Sequence, residues 1–165
     1  MNTNTIPEII TVLKIIKLDQ EDFNRDHVAM RIGINPTESR GPILAPGKIR
    51  FNSIMDAKKI WGNTVTIFDE GDMPYSMLFH AYLLLKLKKE KSWDVNDALD
   101  KLRERFQAKE RTLCEICEQY NLQINVSINI YTCYEQIPII QIYHENLLFL
   151  SNIGASVEFA FLSTE

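Results

Sequence analysis

The residues best suited to redox chemistry or metal binding are three cysteines, two of which form a C-x-x-C pair at Cys114 and Cys117. A redox pair of this kind belongs at a helix N-terminus, where the helix dipole lowers a thiol pKa. This pair instead falls in the last turns of a predicted helix, where the dipole acts in the opposite direction. A zinc site needs two more ligands, and no second C-x-x-C or H-x3-H is present. We therefore expect these cysteines to be structural residues of the core. The alternative is a metal or redox site to which Cys133 contributes.

The three histidines, His27, His80 and His144, are isolated in the sequence, and no nucleophile motif accompanies them. Ordinary structural histidines are the expectation, because a Cys–His or Ser–His pair requires a contact in space. The sequence therefore predicts no catalytic residue, no cofactor and no metal. The alternative is a small enzyme with a dispersed site, formed by residues Asp69, Asp72, His80 and Cys133.

An acidic turn at residues 69–74, DEGDMP, is the best candidate for a contact with a partner. Its carboxylates lack the twelve-residue spacing of a calcium-binding loop, so a solvated hairpin tip is favoured over a cation site. Aromatic residues and methionine are enriched in interfaces. The predicted partner-binding residues are Asp69, Glu70, Asp72, Met73 and Tyr75.

A group of lysines raises the possibility of nucleic-acid binding: Lys86, Lys88, Lys89 and Lys91, followed by Arg103 and Arg105. Tyr82 and Trp93 are nearby aromatics, and a sheet with exposed aromatics can stack single-stranded RNA. The RNA-binding sequence motif is absent. We therefore prefer the interpretation that these lysines protect the end of a strand from aggregation. We expect Trp93 in the core or packed against a helix.

The composition fits one globular domain over residues 1–165, since hydrophobic residues make up 45% and charged residues 24% of the chain. With 18 basic and 22 acidic residues, the net charge of −4 argues weakly against general nucleic-acid binding. No signal peptide and no uncharged apolar run of 18 residues is found. The expected location is the cytoplasm, with reduced thiols and no membrane contact.

Hydrophobic periodicity predicts strands alternating with helices. Residues 77–88 suit either a strand or a buried helix, and we favour a strand that forms a hairpin with the strand before it. Strands are expected at 8–18, 60–68, 77–88, 122–133, 138–142 and 155–162. Helices are expected at 20–33, at 94–120 with a kink near Gln107, and at 144–153, and residues 35–50 are expected to form a loop.

This order predicts an α+β fold with a ferredoxin-like, split βαβ arrangement. The sheet is expected to be antiparallel, with helices on one face, and to be followed by a C-terminal helix–strand unit. The strand at 122–133 alternates cleanly between an apolar face and an uncharged polar face. That polar face is expected to be solvated, covered by polar contacts or used for binding.

Four segments together resemble an uncharacterised bacterial family of small α+β domains of unknown function. They are GINPT at 33–37, SWDVNDALDKL at 92–102, YNLQINVSINIY at 120–131 and LLFLSNIGASVEFAF at 147–161. The resemblance covers roughly residues 10–163 and implies a fold more than an activity. It also suggests a setting among toxin-immunity and phage-conflict proteins.

These observations favour a non-enzymatic cytoplasmic binding protein, specifically an immunity or anti-defence protein that neutralises a macromolecule. A protein partner is expected, nucleic acid is disfavoured, and no oligomeric state is specified. The alternatives are the dispersed-site enzyme and a nucleotide- or RNA-binding sheet domain.

Overall fold

A computed structural model describes residues 6–18, 21–45, 65–68, 76–132, 137–138 and 140–163. Within these residues the strands are β1 (Glu8–Lys17), β2 (Glu38–Arg40), β3 (Ile43–Ala45), β4 (Val65–Phe68), β5 (Ser76–Phe79), β6 (Ala81–Lys86), β7 (Glu90–Lys91), β8 (Leu122–Thr132) and β9 (Ala155–Ser163). The α-helices are α1 (Arg25–Ile32), α2 (Val95–Phe106), α3 (Glu110–Tyr120) and α4 (His144–Asn152).

The main sheet contains six strands and is mixed. Its spatial order is β2-β6-β1-β8-β9, and the short β7 also pairs with β1. Strand β1 runs antiparallel to both β6 and β8, whereas β9 runs parallel to β8. The fold is therefore α+β, as predicted. The predicted C-terminal helix–strand unit is α4 with β9, and it adds β9 parallel to β8, because the chain returns through α4 to the end of the sheet at which β8 begins.

A second sheet has the order β3-β5-β4, and both of its pairings are antiparallel. The predicted hairpin is thus present as β4 and β5. The prediction of one continuous strand over 77–88 is wrong, because the chain leaves this sheet after Phe79 and enters the main sheet at Ala81. His80 lies at this change of sheet.

The helices bury apolar side chains against one face of β1 and β8. On this face Ile9, Leu13 and Ile15 of β1 are each at most 1% exposed, and they belong to one cluster with the inward residues of β8. The same cluster includes residues from all four helices. Alternation of side chains along each strand fixes this register, because a shift by one residue would move every apolar side chain to the other face.

The polar face of β8 is buried at Asn125 and Ser127 rather than exposed to solvent. Asn125 and Ser127 are 4% and 5% exposed. The Ser127 hydroxyl donates to Asn125 Oδ1 at 3.0 Å, and Asn125 Nδ2 donates to Ser156 Oγ of β9 at 3.1 Å. Of the three expected outcomes, coverage by polar contacts is therefore the one observed for these two residues.

The predicted helix over 94–120 is divided where the kink was expected. Helices α2 and α3 are separated by one 3₁₀ turn at Gln107–Lys109. Asn121, with φ 52°, ends α3 in the left-handed conformation that glycine and asparagine adopt most readily. Among the described residues of 138–142 no strand is present. The segment 35–50, expected to be a loop, contains β2 and β3.

Gly33 ends α1 with φ 66°, and its position is tied to a distant lysine. The Lys109 ammonium donates to the Ile32 carbonyl at 2.6 Å, which satisfies one of the carbonyls left free at the helix end. A Cβ at Gly33 would meet the Lys109 ammonium, the far end of a flexible side chain, so a side chain there has to displace that ammonium as well as adopt a positive φ. Gly154 has a similar φ of 63° but nothing within 4 Å of such a Cβ.

We expect Gly33→Ala to lower the free energy of unfolding by more than Gly154→Ala does. Both substitutions place an L residue in the left-handed region, at a cost of about 1–2 kcal/mol. Only Gly33→Ala also displaces the Lys109 ammonium, which adds roughly 1 kcal/mol. Urea denaturation measures both values. In a Lys109→Met background the two losses should become equal, and a persistent difference there would contradict the role given to Lys109.

Candidate functional site

The predicted partner-binding residues Asp69, Glu70, Asp72, Met73 and Tyr75 lie outside the described residues. The strands that flank them, β4 and β5, form the antiparallel pair expected on either side of the turn. The assignment of these five residues to a partner contact stays a prediction.

Of the four components of the dispersed-site enzyme, His80 is the one that lies in the described part of the chain. Asp69, Asp72 and Cys133 lie outside it, and His80 is buried, with 1% of its surface exposed. His27 contacts the Tyr120 ring edge-on, and His144 is the first residue of α4. Within the described residues no group of three or more His, Cys, Asp or Glu side chains is placed to hold a metal ion.

Cys114 and Cys117 are free thiols on α3. Burial, followed by the nearby Cys114 and Glu118, raises the pKa of the Cys117 thiol to about 11. The reactive species of a cysteine is the thiolate, so Cys117 is a poor nucleophile near neutral pH. Cys114 Sγ donates to the Asn152 carbonyl at 3.1 Å, and Cys117 packs against the apolar core. These contacts are typical of structural cysteines.

The lysine cluster is partly neutralised by ion pairs. Lys89 Nζ lies 2.6 Å from one oxygen of Glu8, and Lys91 Nζ lies 3.9 Å from the other. The hydrogen bond from Lys89 lowers the pKa of Glu8 against an opposing effect of burial, and the charges of Lys89 and Lys91 lower it further. Arg103 binds Asp100 at 2.9 Å. This pairing reduces the positive potential available for nucleic acid.

Strand β9 forms one end of the main sheet, and within the described strands its second edge has no partner. Phe161 and Leu162 near its end are 48% and 38% exposed, and Ile137 beside them is 63% exposed. These three side chains line a cavity of about 150 Å³ together with Thr132 and Ser163. We call this region, β9 with Ile137, the β9 edge.

A buried amide at the start of α2 holds a second surface feature in place. Asn96 is 1% exposed, and its Nδ2 donates to Asp94 Oδ1 and to the Gln141 carbonyl, both at 2.7 Å. Its Oδ1 accepts from the Tyr143 N–H at 2.9 Å and from Asn146 Nδ2 at 3.2 Å. All four bonding positions of this amide are thus used. Asn96 therefore fixes the segment 141–143 to the beginning of α2.

Asp94 is the N-cap of α2 and accepts three hydrogen bonds. They come from the Asn96 N–H at 2.9 Å, Asn96 Nδ2 at 2.7 Å and the Tyr143 hydroxyl at 2.9 Å. Burial by itself raises the pKa of Asp94, but these hydrogen bonds outweigh it and hold the pKa below its ordinary value. Conversely, the hydrogen bond to Asp94 and its charge raise the pKa of Tyr143, as do Asp97 and Asp100 to a smaller extent.

Trp93, Asp94, Gln141 and Tyr143 line a cavity of about 300 Å³, which we call the aromatic pocket. Trp93 is 39% exposed and Tyr143 48% exposed, so of the two positions expected for Trp93, in the core or packed against a helix, the core is not observed. The sequence identified a helix start at Asp94. It gave no sign that residues 141–143, almost fifty positions later, would complete the pocket.

The pKa of Asp94 is lower in the folded than in the unfolded state. The ionised carboxylate therefore contributes fully to the free energy of unfolding above its unfolded-state pKa of about 3.9. The contribution is lost as pH falls through the folded value. We therefore expect the difference in unfolding free energy between the native chain and Asp94→Asn to shrink on acidification below about pH 4. Tyr143→Phe, which removes one donor, should reduce this pH dependence. A difference that stays constant from pH 7 to pH 3 would refute the assignment.

The described helices do not include one that is long and apolar enough to cross a membrane. Comparison with known proteins finds no match among curated proteins and none among solved structures. The model of the family described as Domain of unknown function (DUF4279) matches residues 77–163, more than half of the chain. The matched residues include the whole lining of the aromatic pocket and all of β9. The chain therefore belongs to the DUF4279 family.

Proposed function

We propose that this protein acts by binding a protein partner, and that the partner adds an extended segment to the β9 edge. The observation that carries the proposal is an outermost strand of nine residues with large apolar side chains exposed at its end. An open strand edge offers backbone N–H and C=O groups to an incoming strand. Natural proteins usually protect such edges with lysine, proline or a short strand.

The sequence of β9, ASVEFAFLS, has none of these protections. Glu158 is its one charged residue, and no lysine or proline interrupts it. Phe161 and Leu162 project to opposite faces of the sheet, as neighbouring residues in a strand do. A strand added beside them would cover apolar surface on both faces of the sheet. This supports a macromolecular partner rather than a small molecule at the edge.

The specific form of the proposal is an immunity or anti-defence protein that neutralises its partner. It is supported by the motif resemblance given above and by an edge suited to capturing a strand. A cytoplasmic location belongs to the same proposal, and the free thiols of Cys114 and Cys117 support it.

We also infer that the inner strands follow the ferredoxin-like plan. In chain order β1, α1, β2, β6, the α2–α3 pair and β8 give strand–helix–strand–strand–helix–strand. In space these strands have the order β2-β6-β1-β8, with each neighbouring pair antiparallel. On this view β9 is an addition at one end of the plan, which supports its use as a binding edge.

Affinity capture from cells that produce the protein tests the binding proposal. The comparison uses three tagged chains: native, Phe161→Lys and Leu148→Lys. Lysine on a sheet edge opposes strand addition, so Phe161→Lys should reduce recovery of the partner by roughly tenfold or more. Leu148, which is 52% exposed on α4, is the matched control, and its variant should retain the partner.

A partner recovered equally by all three chains would place the interface away from β9 and overturn this use of the edge. Recovery of RNA or a small molecule without any protein would overturn the binding proposal as a whole. The immunity form requires more, namely that the native chain inhibits the purified partner's activity and that Phe161→Lys does not.

A further inference from the structure

The aromatic pocket combines features that suit a positively charged organic ligand. Two aromatic side chains, Trp93 and Tyr143, are partly exposed around one cavity, which Asp94 also lines. The faces of aromatic rings attract cations, most strongly for tryptophan. A carboxylate beside them supplies the counter-charge that an ammonium or guanidinium group requires.

The electrostatics around the pocket point in the same direction. Hydrogen bonds keep Asp94 ionised, and Asp97 and Asp100 lie close enough to raise the pKa of the Tyr143 hydroxyl. Among the described residues that line the cavity, none is basic. Arg103, on the same helix as Asp100, pairs with that carboxylate at 2.9 Å. The described lining therefore carries one negative charge and no positive charge, which disfavours anions.

The pocket is also formed before any ligand arrives. Asn96 binds the Asp94 side chain, the Gln141 carbonyl and the Tyr143 N–H at once, with distances between 2.7 and 2.9 Å. The Tyr143 hydroxyl donates to Asp94 at 2.9 Å, which sets the second ring relative to the carboxylate. Because these groups are already ordered, binding would cost little conformational entropy. A volume of about 300 Å³ lies at the lower end of the range for small-molecule sites.

We propose that Trp93, Asp94 and Tyr143 form a binding site for an organic cation that carries an ammonium or guanidinium group. The cation would lie against the aromatic rings, with its charge facing the Asp94 carboxylate. Two sources share this chemistry: a free amine and a lysine or arginine side chain of a polypeptide. This site does not depend on the β9 edge, and either can fail without the other.

Nuclear magnetic resonance titration tests the site, with the Trp93 indole and the backbone amides of Gln141 and Tyr143 as reporters. In a Trp61→Phe background Trp93 is the sole tryptophan, since the chain has two. The probes are choline chloride, the peptide acetyl-Gly-Arg-Gly-amide and 3,3-dimethylbutan-1-ol. The last is a neutral compound with the shape of choline. Sodium chloride at equal ionic strength is the blank.

We expect saturable shifts with at least one of the two cations, and roughly fivefold or more weaker binding of the neutral compound. Choline as the better ligand would identify a free amine as the source, and the peptide as the better ligand would identify a side chain. Equal binding of the neutral compound would show a merely apolar cavity and overturn the proposal. No shift beyond the sodium chloride blank with either cation would also overturn it.

Two variants separate the charge from the fold. Asp94→Asn keeps the size of the side chain and an oxygen that can cap α2, so the helix should persist. It should weaken cation binding by roughly fivefold or more while leaving the resonances of β1 and β8 unchanged. Tyr143→Phe keeps the ring and should have a smaller effect. If Asp94→Asn binds the cation as tightly as the native chain, the carboxylate has no part in recognition and the proposal is wrong.

Discussion

The pairing of β1 with β6 on one side and β8 on the other is the interaction on which the rest of the molecule depends. Ten residues of β1 pair with β8 and six with β6, so its backbone groups are engaged along both edges. Its apolar side chains are buried on both faces, with Ile9 and Leu13 on the helix side and Val12 and Ile16 on the other. A strand enclosed in this way admits only one register.

That central pairing also determines where the sheet is open. Because β6 and β8 flank β1 along most of its length, and the short β7 pairs with its first two residues, β2 and β9 form the two ends of the sheet in the described part of the chain. Strand β2 has three residues, whereas β9 has nine. A short edge strand is a common protection against unwanted pairing, and a long one is a liability unless it is used. The two ends of the sheet are thus unequal, and the binding proposal rests on this difference.

The hydrogen bonds of Asn96 hold the segment after β8 against the helices. A buried amide is costly unless its donors and acceptors are paired. Asn96 meets this requirement with one neighbouring partner, Asp94, and with partners at residues 141–146, far along the chain. The exposed aromatic rings of Trp93 and Tyr143 are brought to one cavity as a result.

Much of the fold follows from local sequence signals. Alternation identified β8, and helical spacing identified α2 and α3 with the break near Gln107. Gly33 and Asn121, residue types that favour a left-handed conformation, end α1 and α3. These features depend on neighbours within a few residues. The split of the apolar run at His80 does not, since both halves are strands and only their partners differ.

The candidate sites were harder to predict because they depend on contacts between distant residues. Nothing near Trp93 indicates that Tyr143 will lie in the same cavity, and an uncharged asparagine such as Asn96 resembles any surface residue in sequence. The lack of a partner on the second edge of β9 among the described strands likewise follows from strand order, which local periodicity does not encode. The predicted acidic turn at 69–75 remains a prediction.

Amide hydrogen exchange along β9 in the isolated protein tests the central claim, that this strand presents an open edge, most directly. In a strand paired on one side, alternate N–H groups point away from the partner and exchange freely. We predict alternating protection from Ala155 to Ser163 and continuous protection from Val12 to Lys17 of β1, where it pairs with both β6 and β8. Continuous protection of β9 at a concentration where the protein is monomeric would mean that its edge is covered, and would contradict the account.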